Sequence, residues 1–301
     1  MNYIKLILNL VVFPGFLFTA AAGMVASFID RKVTARVHWR VGPPLLQPLY
    51  DFIKYLGKET IVPKGASRLM FLASPVAGIS AVTVVSTIVM GTLLAPAESF
   101  VGDFIVVVYL LTIPSMCVII GGFASRNPLA SLGANREMKM ILAYELPFLL
   151  SLFVPVIKTG SIKIGEIAQA QASTGSLSGW LALIVAVLCM QAKLGLVPFD
   201  AAEAEQEIIA GPYIEYSGTP YAIFRLTRQM LLFVLPMFLS VMFMPPRGII
   251  DGILKYVVLL VVIVLIRNTN PRLKIDQVIK FFWRIPAVIA AAAVILALNG
   301  M

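Results

Sequence analysis

Residues 198–218 read PFDAAEAEQEIIAGPYIEYSG and place five carboxylates between two strongly apolar stretches. The chain of 301 residues has only 15 Asp and Glu in all, so this concentration indicates a chemical role. The five are Asp200, Glu203, Glu205, Glu207 and Glu215. If the segment is helical after Pro198, then Asp200, Glu203 and Glu207 share one face. Carboxylates so close in a low-dielectric region cannot all ionise cheaply, so we predict proton uptake and transfer here. The alternative is a solvated acidic loop.

The chain around this segment is strongly apolar. Hydrophobic residues make up 59% of it, charged residues 13%, and the mean hydropathy is +0.93, which excludes an ordinary soluble domain. Windows of membrane-spanning length lie near residues 4–28, 69–95, 103–123, 138–157, 178–198, 221–243, 252–267 and 282–299. Backbone groups in lipid must bond within their own segment, and these windows are too long for barrel strands. We therefore predict an all-α integral membrane protein, a single domain over residues 1–301 with about eight transmembrane helices.

The net charge of +9 follows the membrane topology rather than a nucleic-acid surface. Lys and Arg concentrate in alternate loops, chiefly after the first, third, fifth and seventh windows. By the positive-inside rule those loops face the cytoplasm. This predicts that both termini face outward and that the acidic segment, residues 198–220, is cytoplasmic.

The first basic loop, residues 30–68, contains a predicted amphipathic helix. From Leu45 to Leu56 apolar residues recur at helical spacing, while Asp51, Lys54 and Lys58 fall largely on the other side. Such a helix lies in the membrane interface. It is either a docking surface or a surface helix without a partner.

Two windows carry charged residues within them. Glu145 interrupts the apolar run AYELPFLL, and Glu137 precedes it by eight residues, about 12 Å along one helix. Inserting a carboxylate at the centre of a transmembrane helix costs about 2.5 to 3.5 kcal/mol of free energy, so such a group faces the bundle interior or a water-filled cavity. Lys193 is expected to pair with Glu145 or Glu203. The alternative role for Glu145 is a structural hydrogen bond between helices.

The chain has few residues that could hold a metal or a redox group. Cys117 and Cys189 lie singly in apolar windows, and His38 is the one histidine. Neither metal-ligand spacing nor a glycine-rich phosphate loop is present in the sequence. We therefore predict neither a cofactor nor a metal in this chain, and electron transfer must then occur in partners.

Three motifs resemble one family. They are DRKVTARVHWRVGPPLLQPLYDFIKYLGKE at 30–59, SLGANREMKMILAYE at 131–145 and the acidic segment already quoted. Together they resemble the H-subunit family of respiratory complex I. They are more closely similar to the equivalent membrane subunit of complex-I-related membrane-bound [NiFe]-hydrogenases and hydrogenase-like sulfur reductases. The GPP form at Gly42 to Pro44 and the GANRE form at Gly133 to Glu137 favour this second branch.

The resemblance implies a function and a set of partners. In complex I this subunit walls the quinone chamber. In the hydrogenase-like relatives the same surface seats a hydrogenase-like large subunit and an iron-sulfur subunit, and antiporter-like subunits share the membrane. Iron-sulfur clusters, and a NiFe centre in the hydrogenases, belong to those partners.

Three positions depart from the family pattern. Asp30 stands where the family commonly has Glu, His38 where it has Gln, and Lys193 where it has a buried Glu. An ammonium in place of a carboxylate reverses the local charge. Either the ion path differs in this chain, or Lys193 is itself the switchable charge.

The sequence as a whole predicts the membrane anchor and coupling subunit of an energy-converting oxidoreductase. The acidic segment would respond to electron transfer in the soluble arm and pass the change to Glu137, Glu145 and Lys193, driving H⁺ or Na⁺ translocation. The soluble arm would dock on the first basic loop, through Arg31, Arg36, Arg40, Asp51, Lys54 and Lys58.

Two other functions remain open from the sequence. One is the quinone-chamber subunit of a respiratory complex I. The other is a stand-alone proton-coupled transporter, although the chain shows neither internal repeats nor pairs of broken helices of the transporter kind.

Overall fold

The structure is a computed structural model that describes residues 3–170 and 175–300, without the side chains of residues 3–6, 98 and 205. Within these ranges its regular secondary structure is helical. The α-helices in chain order are α1 (Tyr3–Val11), α2 (Phe16–Val37), α3 (Gln47–Leu56), α4 (Arg68–Leu94), α5 (Asp103–Ala124), α6 (Pro128–Thr159), α7 (Ile164–Ala170), α8 (Leu177–Lys193), α9 (Glu205–Ile208), α10 (Gly218–Phe243), α11 (Ile249–Thr269), α12 (Ile275–Arg284) and α13 (Pro286–Leu298). Three 3₁₀ turns lie at Pro96–Glu98, Ala201–Glu203 and Gly211–Tyr213.

The predicted all-α membrane fold is confirmed. Seven helical segments in the described ranges are long and apolar enough to cross a membrane, and α8 is a shorter apolar helix of 17 residues. The seven are Ile7–Val37, Arg68–Leu94, Asp103–Ala124, Pro128–Thr159, Gly218–Phe243, Ile249–Thr269 and Ile275–Leu298. The eight predicted windows thus fall on helices.

Prolines interrupt the first and the last of these segments. The first window contains two helices, because α1 ends at Val11 and α2 begins at Phe16, just after Pro14 and Gly15. In the last segment α12 ends before Ile285 and α13 begins at Pro286. Proline lacks the backbone N–H that an uninterrupted helix needs. The predicted amphipathic helix is present as α3, beginning two residues later than expected.

Helix α10 lies at the centre of the bundle, and α11 and α13 lie at its edge. The buried share of the most apolar 18-residue stretch is 83% in α10 and 33% in α11. Helix α10 packs against α2 and α4, while α6 packs against α5, α8 and α13. Helix α2 is also joined to α11 by an ion pair between Asp30 and Arg267, whose closest atoms are 2.8 Å apart. The functional segments therefore sit around α10 and α6.

Glycine permits a close crossing of α2 and α10. A Cβ built on Gly23 of α2 would lie 2.6 Å from the carbonyl oxygen of Gln229 in α10. Backbone cannot yield as a flexible side chain can, so any larger residue must push the two helices apart.

We predict that Gly23→Ala destabilises the bundle by about 1 to 3 kcal/mol, the usual cost of overpacking a core. The measurement is the thermal unfolding midpoint of the purified protein. Gly91→Ala is the matched control, because its added methyl group meets no atom within 4 Å and alanine favours a helix by about 0.5 to 1 kcal/mol. Equal midpoints for the two variants would contradict the close-approach argument.

Candidate ion-coupling site

The acidic segment folds as a series of turns. After α8 ends at Lys193, the chain forms the 3₁₀ turn Ala201–Glu203, the single turn α9 and a second 3₁₀ turn at Gly211–Tyr213. Ala204, between Glu203 and α9, has a ψ of +93°, outside the helical range, and so separates the first turn from α9. Ile209 and Gly211, with φ of +60° and +52°, then end the helical turn after Glu207. The expectation of one helix with Asp200, Glu203 and Glu207 on a common face is therefore wrong.

Each of these three carboxylates instead pairs with an arginine from a different part of the bundle. The pairs are Asp200 with Arg272, Glu203 with Arg228, and Glu207 with Arg136. The shortest nitrogen-to-oxygen distances are 2.8, 2.6 and 2.5 Å respectively. The guanidinium groups compensate the carboxylate charges one by one, so crowding among carboxylates is not the main electrostatic feature here.

Arg228 anchors the segment most firmly. Its Nη1 donates to both carboxylate oxygens of Glu203, at 2.7 and 2.6 Å, and its Nη2 donates to the carbonyl oxygen of Gly195 at 2.6 Å. Charge-assisted bonds of this kind are about twice as strong as neutral ones. A residue of the central helix thereby fixes the beginning of the acidic segment.

The pKa of Asp200 lies above its usual value. Loss of solvent raises the pKa of its carboxyl group, while the neighbouring Arg272 acts in the opposite direction. Because burial and Arg272 act on it in opposite directions, the pKa of Asp200 changes with any movement of Arg272.

Two members of the acidic segment stand apart from these pairs. Glu215 accepts a hydrogen bond of 2.6 Å from the side chain of Asn127, whose own carbonyl oxygen caps the start of α6 at Leu129. Glu215 is thus placed beside a helix terminus. The side chain of Glu205 lies outside the described part of the chain.

The end of the acidic segment is fixed by Tyr216. Its ring stacks on Phe71 of α4 with centroids 4.0 Å apart, and its hydroxyl donates to the carbonyl oxygen of Phe71 at 3.0 Å. Burial raises the pKa of Tyr216 to about 12, so the phenol stays protonated at neutral pH.

Lys193 and Glu145 form an ion pair inside the bundle, one of the two pairings expected for Lys193. Lys193 Nζ lies 3.0 Å from Glu145 Oε2, and their side chains are 1% and 19% exposed. The ammonium also lies 5.5 Å from the ring centroid of Tyr144 and 5.2 Å from that of Phe148. The rings stabilise the cation by cation–π attraction and limit water around it.

A small cavity lies between Lys193 and the acidic segment. Its volume is about 50 Å³, and a cavity needs about 10 to 15 Å³ to hold one water molecule, so it has room for water. Glu137, Lys193, Glu203 and Arg228 all line it, together with the polar side chains of Ser115, Tyr213 and Thr227. Ionisable groups separated by one or two waters can exchange protons.

A second and larger cavity, of about 630 Å³, lies between α2, α10 and the start of the acidic segment. Asp30 and His38, two of the positions that depart from the family pattern, both line it. The ring of His38 lies 3.1 Å from the side-chain oxygen of Asn268 in α11. Glu203 and Arg228 line both cavities, so their ion pair stands between the two.

The predicted docking residues divide into two groups. Arg31 pairs with Asp51 at 2.7 Å and so holds α3 against α2. Partial burial raises the pKa of Asp51, but hydrogen bonds from Arg31 and Gln47 outweigh it and the pKa lies below its usual value. The other four docking residues are exposed: Arg36, Arg40, Lys54 and Lys58.

Sequence reasoning missed several functional side chains. The arginines that hold the carboxylates, above all Arg228, were counted only as topological charges. Arg228 lies ten residues into α10, and a charge inside a span is itself a signal of a buried partner. Trp39, which is 98% exposed, was also missed, although a lone exposed tryptophan in a basic loop is typical of a contact surface.

The helices, the buried ion pairs and the two cavities define a multi-pass membrane protein with charged groups inside its bundle. The model of the NADH dehydrogenase family matches residues 8–298. The chain belongs to this family, and the resemblance to the complex I H subunits is confirmed.

Two relatives and one solved structure illustrate the match. The H subunit of the NADH-quinone oxidoreductase of Geobacillus sp. strain WCH70 is 32% identical over 303 residues, covering 92% of this chain and 90% of the relative. The H subunit of the Syntrophotalea carbinolica enzyme is 32% identical over 310 residues, covering 95% and 92%. A chain of the membrane-bound sulfane sulfur reductase, an archaeal respiratory membrane complex, has a TM-score of 0.86 at 29% identity, with 98% of this chain and 99% of that one covered. The protein is a membrane subunit of an energy-converting oxidoreductase.

We predict that Lys193 and Glu145 are strongly coupled in stability. Lys193→Met leaves a carboxylate without its cation, and Glu145→Gln leaves a buried ammonium without its anion, so each single change destabilises the protein. The double variant removes both charges and recovers part of the loss, with a coupling energy of about 1 to 3 kcal/mol. The measurement is a double-mutant cycle of unfolding midpoints. Additive single effects would show that the two charges do not depend on each other.

Proposed function

We propose that this chain couples electron transfer in soluble partner subunits to the translocation of H⁺ or Na⁺ across the membrane. The observation that carries the proposal is the small cavity itself. It places Glu203 of the acidic segment, Glu137 of α6 and Lys193, the partner of Glu145, around one space. Ionisable groups inside a membrane bundle are expensive and are retained for ion pathways.

The mechanism follows from the pairing of the acidic segment. Redox change in the partner displaces Arg228 or Glu203, and the separated carboxylate then has a higher affinity for a proton. A change of charge on Glu203 alters the free energy of ionising Glu137 across the cavity. Lys193 lies next along the path, and the change of charge acts through its ammonium group on the paired carboxylate of Glu145. The acidic segment thus has two states, and both the redox site and the ion path in the membrane shift the equilibrium between them.

The partners follow from the branch of the family. We assign to the soluble arm a hydrogenase-like large subunit and an iron-sulfur subunit, which hold the redox cofactors, and to the membrane arm antiporter-like subunits. Nearly complete overlap with the sulfane sulfur reductase chain supports this branch. The docking surface is supplied by the exposed ring of Trp39 and by three exposed cations of the first basic loop that do not line the larger cavity, Arg36, Lys54 and Lys58. The basic end of the bundle, with the acidic segment, faces the cytoplasm, and both termini face outward.

A second candidate function is quinone reduction at the larger cavity. Its volume of about 630 Å³ is within the range of small-molecule sites, and the named bacterial relatives are NADH-quinone oxidoreductase subunits. In that case the chain would wall a quinone site shared with its partners.

We predict that Glu145→Gln leaves electron transfer intact and abolishes ion translocation, because the path loses its carboxylate while the partners keep their redox groups. Donor oxidation and ion uptake are measured together in membrane vesicles that hold the intact complex. Glu166→Gln is the control, since Glu166 lies in α7, apart from the path, and pairs with Lys163. A Glu145→Gln complex that translocates ions at the wild-type rate would overturn the proposal.

We predict that the purified complex, given a reduced low-potential donor, releases hydrogen or sulfide and carries no stoichiometric quinone. Product gas, sulfide and solvent-extracted quinone are assayed on the same preparation. Hydrogen identifies a hydrogenase arm and sulfide a sulfur-reducing arm. Quinone reduction without either product would favour the second candidate.

A further inference from the structure

The larger cavity has a strong excess of positive charge. Six arginines line it, against the three carboxylates Asp30, Asp200 and Glu203. Each of these carboxylates is already paired with one of the arginines, namely Arg267, Arg272 and Arg228. The lining therefore keeps three positive charges that no carboxylate of the cavity neutralises.

Two arginines of the lining are available to a ligand. Arg31 is held at 2.7 Å by Asp51, which lies outside the cavity. Arg40 and Arg225 form no ion pair within 4 Å among the described residues, and both side chains are exposed. Arg225 lies over the ring of Tyr221, 5.7 Å from its centroid, which orients the guanidinium group without neutralising it. The two remaining guanidinium groups thus stand at the mouth of a concave site.

The lining also contains an unpartnered acceptor. Gln229 lies one helical turn beyond Arg225 on α10 and lines the same cavity. Its side-chain oxygen is buried and has no hydrogen-bond partner among the described residues. A buried polar atom of this kind is normally satisfied, so it indicates a donor hydroxyl of a ligand or a bound water.

Apolar side chains line another part of the cavity. They include Leu196, Val197 and Leu232, and Leu232 is buried within the span α10. The cavity therefore offers guanidinium groups at the basic end of the membrane helices and apolar surface towards the spans. An amphiphilic anion matches both parts, whereas a neutral quinone leaves the charges unmatched.

We propose that this cavity binds a phosphate group, and that its source is the headgroup of an anionic phospholipid with a free hydroxyl. Arg40 and Arg225 bind the phosphate oxygens, Gln229 accepts from the hydroxyl, and the acyl chain lies along the apolar side. Basic pockets between transmembrane helices at the cytoplasmic level are known to favour such headgroups. The proposal does not rest on the ion path proposed above, because binding requires neither electron transfer nor translocation, although Glu203 and Arg228 line both cavities.

The test is a binding titration on the intact, delipidated complex with phosphatidylglycerol in detergent micelles. Phosphatidylcholine, which has no net charge, is the comparison, and inorganic phosphate is the soluble source of the same group. Loss of one charge-assisted hydrogen bond raises the dissociation constant about tenfold. We therefore expect the double variant Arg40→Gln with Arg225→Gln to bind phosphatidylglycerol about a hundredfold more weakly. Replacing the same two residues by Lys keeps the charges and should restore part of the affinity.

The matched control changes two exposed arginines at the same end of the bundle, Arg68→Gln with Arg126→Gln. Neither lines the cavity, so this variant should bind as wild type does. In another outcome the wild-type complex binds inorganic phosphate that phosphatidylglycerol does not displace. That result would support a phosphate site whose natural ligand is a soluble phosphate rather than a lipid headgroup.

Two results would overturn the proposal. One is equal affinity for the two phospholipids together with no binding of phosphate. The other is crosslinking of Arg40 or Arg225 to an acidic segment of a partner subunit, which would show that protein fills the cavity. Assembly of the complex, checked by size, separates loss of binding from loss of folding.

Discussion

Ion pairs between carboxylates and cations from distant parts of the chain are the interactions that organise this structure. A lone charge in a low-dielectric interior is prohibitively costly, while a pair held by charge-assisted hydrogen bonds is tolerated. Where the acidic segment crosses the end of the bundle, arginines from α6, from α10 and from the approach to α12 pair with its carboxylates. Ion pairing thereby determines both the path of the chain and the groups that can respond to a change of charge.

Close backbone approach is the second constraint, and it acts together with ion pairing. Gly23 lets α2 lie against α10, and Gly133 lets α6 contact the turn at Pro212, where an added Cβ would lie 2.6 Å from the proline ring. These contacts bring Glu137 and Arg228 to the same small cavity. The site is therefore assembled by small residues that have no chemistry of their own.

Much of the candidate site could be read from the chain, but its electrostatics could not. Glu145 and Lys193 were recognisable as charges within apolar windows, and their pairing was one of two expected outcomes. The common helical face for Asp200, Glu203 and Glu207 was a reasonable local expectation. It failed because the backbone leaves the helical range at Ala204, between Glu203 and Glu207. Each carboxylate also pairs with an arginine far away in the chain, and local spacing cannot predict such a contact.

Local properties of the chain are enough to predict the all-helical membrane fold, the windows that become helices and the family. Hydropathy over about 20 residues and the need of backbone groups in lipid for hydrogen bonds within their own segment are local properties, and they leave few possible folds. Which charged side chains form ion pairs depends on the tertiary structure. Lys193 and Glu145 are 48 residues apart in the chain, and Asp30 and Arg267 are 237 apart. Whether such residues touch depends on helix crossings and side-chain packing, and these are properties of the whole bundle rather than of any one segment.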